Sequence, residues 1–293
     1  MPELPDITVY LDVLAPRVVG HALIQVQVAN PFVLRSVDPL LSVFAGETVT
    51  GVERIGKRIV LAFGDHFLVM HLMIAGRLRW LPVGLKARAK LDLATFVFAH
   101  GSLVLTEAGS KRRASLTAVS GRANLAALNR GGLDVLASSD TVLIARLRSE
   151  NHTLKRALTD PRLLDGIGNA YSDEILHAAR LSPLALTSKL DDESFVRLIH
   201  AMRETLAAWT TRLRDEVGDG WPETVTAFRP EMAVHGRFGL PCPVCASPVQ
   251  RIRYADNETN YCARCQTNGR LLADRAMSRL LKSDWPRSLD ELM

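Results

Sequence analysis

All four cysteines of this 293-residue chain fall in its last fifth, as Cys242-x2-Cys245 and Cys262-x2-Cys265 with sixteen residues between the pairs. Thiolates are soft ligands, and two Cys-x-x-Cys knuckles bring four of them around one tetrahedral ion. The spacing therefore reads as one structural Zn2+ site with a hairpin as its spacer. An ion held by four protein ligands has no open position for substrate. Two disulfides or a redox pair are the competing reading of the same residues. Between the knuckles lie Arg251, Arg253 and Tyr254, then Asp256-Asn257-Glu258. A metal-stiffened hairpin suits the delivery of arginines to phosphates, and solvated arginines on an exposed strand are the alternative.

A second chemical feature lies at the chain start, Met1-Pro2-Glu3-Leu4-Pro5-Asp6. Methionine before a small residue is the arrangement from which the initiator is trimmed, which leaves Pro2 as a secondary amine. An α-amine titrates near ~7.7 to 8.0 against ~10.4 for lysine, so roughly a tenth of it is neutral and nucleophilic at neutral pH. A helix beginning near Pro5 further disfavours the protonated amine through its positive end. Attack of such an amine on an aldehyde-like carbon gives an iminium, an electron sink for elimination, and the adjacent Glu3 is placed to move a proton. An untethered terminus is the bland reading. A third feature, Gly166-Ile167-Gly168-Asn169 ahead of a helix, suits anion binding by free backbone N–H groups, or is simply a cap.

These residues need elements to hold them. Short β-branched or aromatic runs at 22–28, 49–63, 67–81 and 94–107, with Gly64-Asp65 and His100-Gly101 as hairpin turns, predict an antiparallel β-domain. Ile7, Tyr10, Leu11 and Leu14 predict a short helix before it, interrupted near Pro16. Helical periodicity follows at 143–158, 170–180 and 191–214, then a Gly/Pro-containing loop over 218–241, and a basic helix over 270–282 after the last cysteine. Composition is that of a folded chain, 47% hydrophobic and 23% charged, and the net charge of +5 favours a polyanionic partner. The longest apolar stretch, near 67–75, contains His71 and is far short of the ~20 residues of a membrane span. The start has no basic-then-apolar leader pattern, so a cytoplasmic protein is expected.

Separated segments resemble one family in the same order. Met1 to Asp6, Ile55-Gly56-Lys57-Arg58 and His71-Leu72-Met73-Ile74-Ala75-Gly76-Arg77-Leu78 are similar to the β-domain motifs of the formamidopyrimidine-DNA glycosylase and endonuclease VIII family. Lys155 to Asp160 with Gly166 to Leu176 resembles its helix-two-turn-helix, and the four cysteines match its zinc finger. The resemblance implies an α+β multidomain fold: an N-terminal antiparallel β-sandwich over 1–125, a helix-two-turn-helix domain over 126–225, and a zinc finger with its preceding loop over 226–268. A basic helical extension would occupy 269–293. It also implies a bifunctional DNA glycosylase and abasic-site lyase of base excision repair, a nucleoid-associated monomer acting on double-stranded DNA with a damaged base or abasic site.

In that reading Pro2 attacks C1′ of the damaged nucleotide and Glu3 protonates the sugar oxygen. Lys57 binds a nearby phosphate and assists strand cleavage, and Asp6 completes the catalytic set. His71, Lys155, Asn169, Arg251 and Arg253 contact DNA. A non-catalytic DNA-binding relative and an abasic-site lyase with little base excision are the rival functions, because several positions depart from the family. Asp6 stands where Glu is usual, and Met73-Ile74 replaces a Gly-Met pair. The 107–113 segment lacks the usual intercalating aromatic, and Asn257 stands where a phosphate-clamping arginine is expected. The tail with Arg270, Arg275, Arg279 and Lys282 is also unlike the family's usual ending.

Overall fold

A computed structural model describes residues 1–85, 91–108, 112–223, 225–254, 257–273, 279–282 and 286–291. They group into two compact units, one of residues 1–130 and 209–226 and the other of residues 131–208 and 227–293. No described helix is long and apolar enough to cross a membrane.

The first unit opens with helix α1 (Leu4–Val18) and continues through β1 (Gln25–Val28), β2 (Gly51–Ile55), β3 (Arg58–Phe63) and β4 (His66–His71). Strands β5 (Gly76–Pro82), β6 (Asp92–Phe98), β7 (Gly101–Glu107) and β8 (Ser115–Ser120) follow, then the short α2 (Arg122–Ala126). They form two antiparallel four-stranded sheets, ordered β1-β6-β7-β5 and β2-β3-β4-β8. Ile7, Tyr10 and Leu14 of α1 share one buried cluster with Ile59, Leu61, Leu68 and Met70 of one sheet and Phe96, Leu103 and Leu105 of the other. Val60, Ala62, Phe67 and Val69 point the opposite way and pack with Leu125. Because β3 and β4 are covered on both faces, they read as continuous apolar runs rather than alternating ones.

The second unit holds α3 (Asp140–Arg148), α4 (Leu154–Thr159), α5 (Asn169–Ala178) and most of the long α6 (Asp192–Val217), whose residues from Trp209 belong to the first unit. The hairpin β9 (Gln250–Tyr254) and β10 (Asn257–Tyr261) and the short α7 (Ala263–Thr267) complete it. Helix α5 packs against α4, β10 and α7.

Several expected boundaries move, each for a local reason. Helix α1 runs through Pro16 to Val18, because proline sits in the last turn, where few hydrogen bonds remain to lose, and Arg17 Nη1 donates to the Val13 carbonyl at 2.6 Å. The predicted 143–158 helix is broken between α3 and α4. His152 N donates to Thr187 Oγ1 and Leu154 N to Ala185 O, so this backbone is spent on the 185–187 segment, and the Thr153 side chain caps α4. The hairpin between β6 and β7 turns at 99–100 and leaves Gly101 inside the strand, where a Cβ would lie 2.6 Å from the Trp80 ring. Strand β8 lies beyond the last β-branched run of the sequence, at 94–107, and forms by pairing with β4. The helix expected to start at Arg270 does not. Arg270 bridges antiparallel to Ser288, and Leu271 N donates to Arg287 O, so Leu271 and Leu289 pack with Ile252 and Tyr261 of the hairpin. Arg275 lies outside the described residues.

The break between β4 and β5 positions one edge of the first unit. A Cβ on Gly76 would lie 2.2 Å from the Leu72 carbonyl oxygen, closer than any side chain tolerates. Gly76→Ala should therefore lower stability by about 1 to 3 kcal/mol. A thermal melt of the purified variant checks this, and an unchanged melting temperature would show that the turn relaxes freely.

Candidate active site and zinc centre

The chain start is folded into the first unit. Pro2 is buried, and Glu3 is the N-cap of α1. The Glu3 backbone N–H donates to Asp6 Oδ2 at 2.9 Å, and the Glu3 side chain accepts from the Asp6 backbone N–H, a reciprocal capping box. Asp6 thereby orients Glu3 rather than extending past it. Such a box contributes about 1 kcal/mol, whereas burying Ile7, Tyr10 and Leu14 contributes roughly 1.5 to 3 kcal/mol each, so core packing sets where α1 lies and the box sets how it begins. The terminal amine of Met1 is held below its ordinary pKa chiefly by burial. Glu3 and Asp6 oppose that shift, and Arg77 and Lys57 add to it. The charges that would act on a reactive amine are thus assembled around this end of the chain.

Lys57 lies in the two-residue turn between β2 and β3, and not on a strand as the sequence suggested, because Gly56-Lys57 is where the hairpin reverses. Next to it Arg58 donates to the Leu128 carbonyl at 2.7 Å. His71, paired in register with Arg58 and Ser115, has its pKa lowered to about 4, first by burial and then by Arg58, Lys57 and Arg130. It is neutral near pH 7 and can offer a partner a hydrogen bond, not a charge. Past it, Met73 adopts a left-handed backbone (φ 53°), the region that favours glycine, and Ile74 is 57% exposed at the tip. Arg77 braces this turn by donating to the carbonyls of Ile74 and Gly76.

Motif reading missed two positions on this edge, Arg77 as a brace and Glu107. The Glu107 carboxylate is buried and accepts from the backbone N–H groups of Arg113 at 2.8 Å and Ala114 at 2.9 Å, which pins the base of the segment that departs from the family. An acidic residue closing an apolar strand was the available signal. Residues 109–111 of that segment lie outside the described residues.

In the second unit, Asn169 opens α5 behind Gly168, and its side-chain amide donates to the Glu258 carbonyl at 3.0 Å. Lys155 Nζ reaches Asp173 Oδ1 at 2.5 Å and the Asn169 carbonyl at 2.7 Å. Arg251 and Arg253 share one face of β9, opposite the buried Ile252. The Arg251 guanidinium lies 4.1 Å from the Phe238 ring centroid and 3.7 Å from Glu258 Oε2, and Arg253 is exposed and opposes Glu258 in register. Asn257 pairs with Tyr254 at the hairpin's end.

The four cysteine sulfurs lie within 4.8 Å of one another, with Cys245–Cys262 at 3.4 Å and Cys242–Cys265 at 3.9 Å. Tetrahedral ligands at the usual zinc–sulfur length stand about 3.8 Å apart, so the set fits one zinc ion. Burial raises the thiol pKa of Cys262 to about 11, and that of Cys265 upward as well, while at Cys245 burial is outweighed by hydrogen bonds from Ser247 and the neighbouring cysteines, which lower it to about 6; a cation at their centre would favour the thiolate form of all four. Around them, Gln266 Oε1 accepts from Cys262 N–H and Gln266 Nε2 donates to the Leu181 carbonyl, which fixes the second knuckle to the helical part.

A β-sandwich unit beginning in a buried, capped chain start, with a helical unit carrying a four-cysteine hairpin, defines a multidomain α+β zinc protein. Three family models match in order. They are the Formamidopyrimidine-DNA glycosylase N-terminal domain over residues 1–115, the Formamidopyrimidine-DNA glycosylase H2TH domain over 132–212, and the Zinc finger found in FPG and IleRS over 239–268. A formamidopyrimidine-DNA glycosylase of Aromatoleum aromaticum is 32% identical over 91% of this chain and 99% of its own. An uncharacterised formamidopyrimidine-DNA glycosylase-like protein of Mycobacterium tuberculosis is 43% identical over 52% of this chain and 94% of its own. The solved complex of Lactococcus lactis Fpg with abasic-site DNA shares the fold at a TM-score of 0.79, 24% identity and coverage of 90% of this chain and 99% of that one. The chain belongs to the formamidopyrimidine-DNA glycosylase family, a family of DNA glycosylases, and its cysteines form the site of a single structural zinc ion.

Two outcomes test this geometry. His71 binds its proton near pH 6.5 when unfolded and only near pH 4 when folded, so between those values the unfolded state holds more protons and stability falls as pH falls. His71→Gln should flatten the melting-temperature profile between pH 6.5 and 4 relative to the parent, and an unchanged slope would show that His71 titrates normally. Removing zinc with a chelator should weaken DNA binding at least tenfold, with the first unit's thermal transition in place. Unchanged affinity would remove the hairpin from the DNA interface.

Proposed function

We propose that this protein is a bifunctional DNA glycosylase and abasic-site lyase acting on duplex DNA that carries a damaged base or an abasic site, with Pro2 as nucleophile after loss of Met1. The observation that carries the reading is the buried chain start, where Glu3 is held by Asp6 within the influence of Arg77 and Lys57. While Met1 is attached, the Pro2 nitrogen is an amide and cannot attack. Trimming exposes its lone pair in a setting that disfavours protonation.

The Pro2 nitrogen bonds to C1′ as the C1′–base bond breaks, and the base departs with the bonding pair and takes up the proton that the Pro2 nitrogen gives up, which restores the nitrogen lone pair. Glu3 delivers a proton to the sugar ring oxygen, the ring opens, and the nitrogen lone pair forms a C=N+ iminium. That electron sink acidifies the 2′ hydrogen, whose removal expels the 3′ phosphate, and a second elimination releases the 5′ phosphate. Lys57 holds a phosphate beside the reacting sugar. Asp6 orients Glu3 through the reciprocal capping box, which fixes where the Glu3 carboxyl meets the reacting sugar. His71 contributes an uncharged hydrogen bond. Asn169, Arg251 and Arg253 serve the DNA backbone, and Lys155 supports them.

The altered 107–113 segment and the Met73-Ile74 turn favour a second reading, an abasic-site lyase with little base excision. Borohydride trapping separates the possibilities. The trimmed protein should form a covalent adduct with both abasic and oxidised-base duplexes, and a chain with an uncleaved N-terminal tag should form none. Glu3→Gln should lower base excision by about 10² to 10⁴-fold while abasic-site trapping persists. An adduct with abasic DNA alone selects the lyase, and no adduct with any lesion selects a DNA-binding relative that has lost catalysis. A panel of 8-oxoguanine, formamidopyrimidines and oxidised pyrimidines names the lesion.

A further inference from the structure

One carboxylate in the second unit collects more of the fold than any motif indicates. Asp173 lies on α5 one turn after Asn169 and is 0% exposed. Its Oδ1 accepts from Lys155 Nζ at 2.5 Å, and its Oδ2 accepts from His235 at 2.7 Å and from the Asn260 backbone N–H at 3.1 Å. Because the acceptor is a carboxylate, His235 Nδ1 must carry the hydrogen. The network continues outward. Lys155 Nζ also donates to the Asn169 carbonyl, the Asn169 amide donates to the Glu258 carbonyl, and Asn260 Oδ1 accepts from Gly236 N–H at 2.8 Å. Glu174, next along α5, accepts from the backbone N–H groups of Ala233, Val234 and His235.

A carboxylate buried this deeply is tolerated only when its charge is compensated, and a buried pair is seldom a net source of stability, so its use is geometric. We infer that Asp173 and Lys155 are a positioning pair: they hold the Gly168-Asn169 start of α5 and the β9–β10 hairpin in one arrangement, and Lys155 is not itself a phosphate contact. The side chain of Lys155 is 13% exposed, and two of its three donors are spent inside the protein. This inference rests on the reading above that the second unit binds duplex DNA.

The test uses the full, zinc-loaded chain and a duplex with a non-cleavable abasic analogue, titrated between about 50 and 300 mM salt. Lys155→Met and Asp173→Asn should each weaken binding about tenfold, and the double variant should be no weaker than the weaker single one, because both changes break the same device. Zinc content should be unchanged, and the slope of log affinity against log salt should match the parent. A slope reduced by about one in Lys155→Met would identify a direct phosphate contact, and additive losses would separate the two residues. Either result overturns the proposal, as does parental affinity in Asp173→Asn. Amide hydrogen exchange gives a readout that needs no DNA: Asp173→Asn should lose protection at 168–170 and 258–260, and full protection there overturns the pair. A parent that fails to bind the duplex defeats the DNA-binding reading and leaves the exchange result to decide the pair. Should Asp173→Asn not fold, His235→Phe removes one of the three donors and should give a smaller loss in the same two measurements.

Discussion

Burying the first residues of a chain is a demanding constraint, because an amine, two carboxylates and the unpaired N–H groups of a helix start must all leave water together. Here the Glu3–Asp6 box satisfies two backbone donors at once, and the apolar residues that follow anchor α1 in the sandwich core. Neither device suffices alone. Without the box, buried N–H groups would be left unpaired, and without Ile7, Tyr10 and Leu14 nothing would hold the capped turn against the sheets. The same arrangement sets the electrostatics, since burial and the cations Arg77 and Lys57 act on whatever amine stands first.

Rigidity is obtained differently in the two units. In the first it comes from two antiparallel sheets with β3 and β4 covered on both faces, so that the turns carrying Lys57 and Ile74 emerge from strands that cannot shift register without exposing apolar side chains. The second has little sheet; its helices bury Leu143, Leu147, Leu158, Ile175, Phe195 and Leu198, and polar connections add to that core: four sulfurs placed for one metal, and the carboxylates of Asp173 and Glu174 gathering backbone and side-chain donors from separate segments. Such connections are directional, so they orient what they join as well as holding it.

The departures from the family acquire a physical form in this setting. Met73 accepts a left-handed backbone that favours glycine, which lets Ile74 stand at the tip of a turn braced by Arg77. Glu107 ties down a segment without an aromatic by taking two backbone donors into its buried carboxylate. Past the last family model, Arg270-Leu271 and Arg287 to Leu289 pair with each other, and Leu271 and Leu289 enlarge the small core of the hairpin.

The family, the zinc ligands and the antiparallel β-unit were legible in the sequence because each is written in short, ordered spacings: two cysteine knuckles, a Met-Pro-Glu start, and apolar runs punctuated by turns. Local breaks were less legible. The gap between α3 and α4 depends on Thr187 and Ala185, which are more than thirty residues away and which no periodicity can indicate. Tertiary structure alone decided that Asp6 turns back to Glu3, that His71 is neutral, and that Lys155 points inward to Asp173. The reason is common to all three. A charged side chain's role is set by its burial and by the partner it meets, and both come from packing between segments distant in the chain.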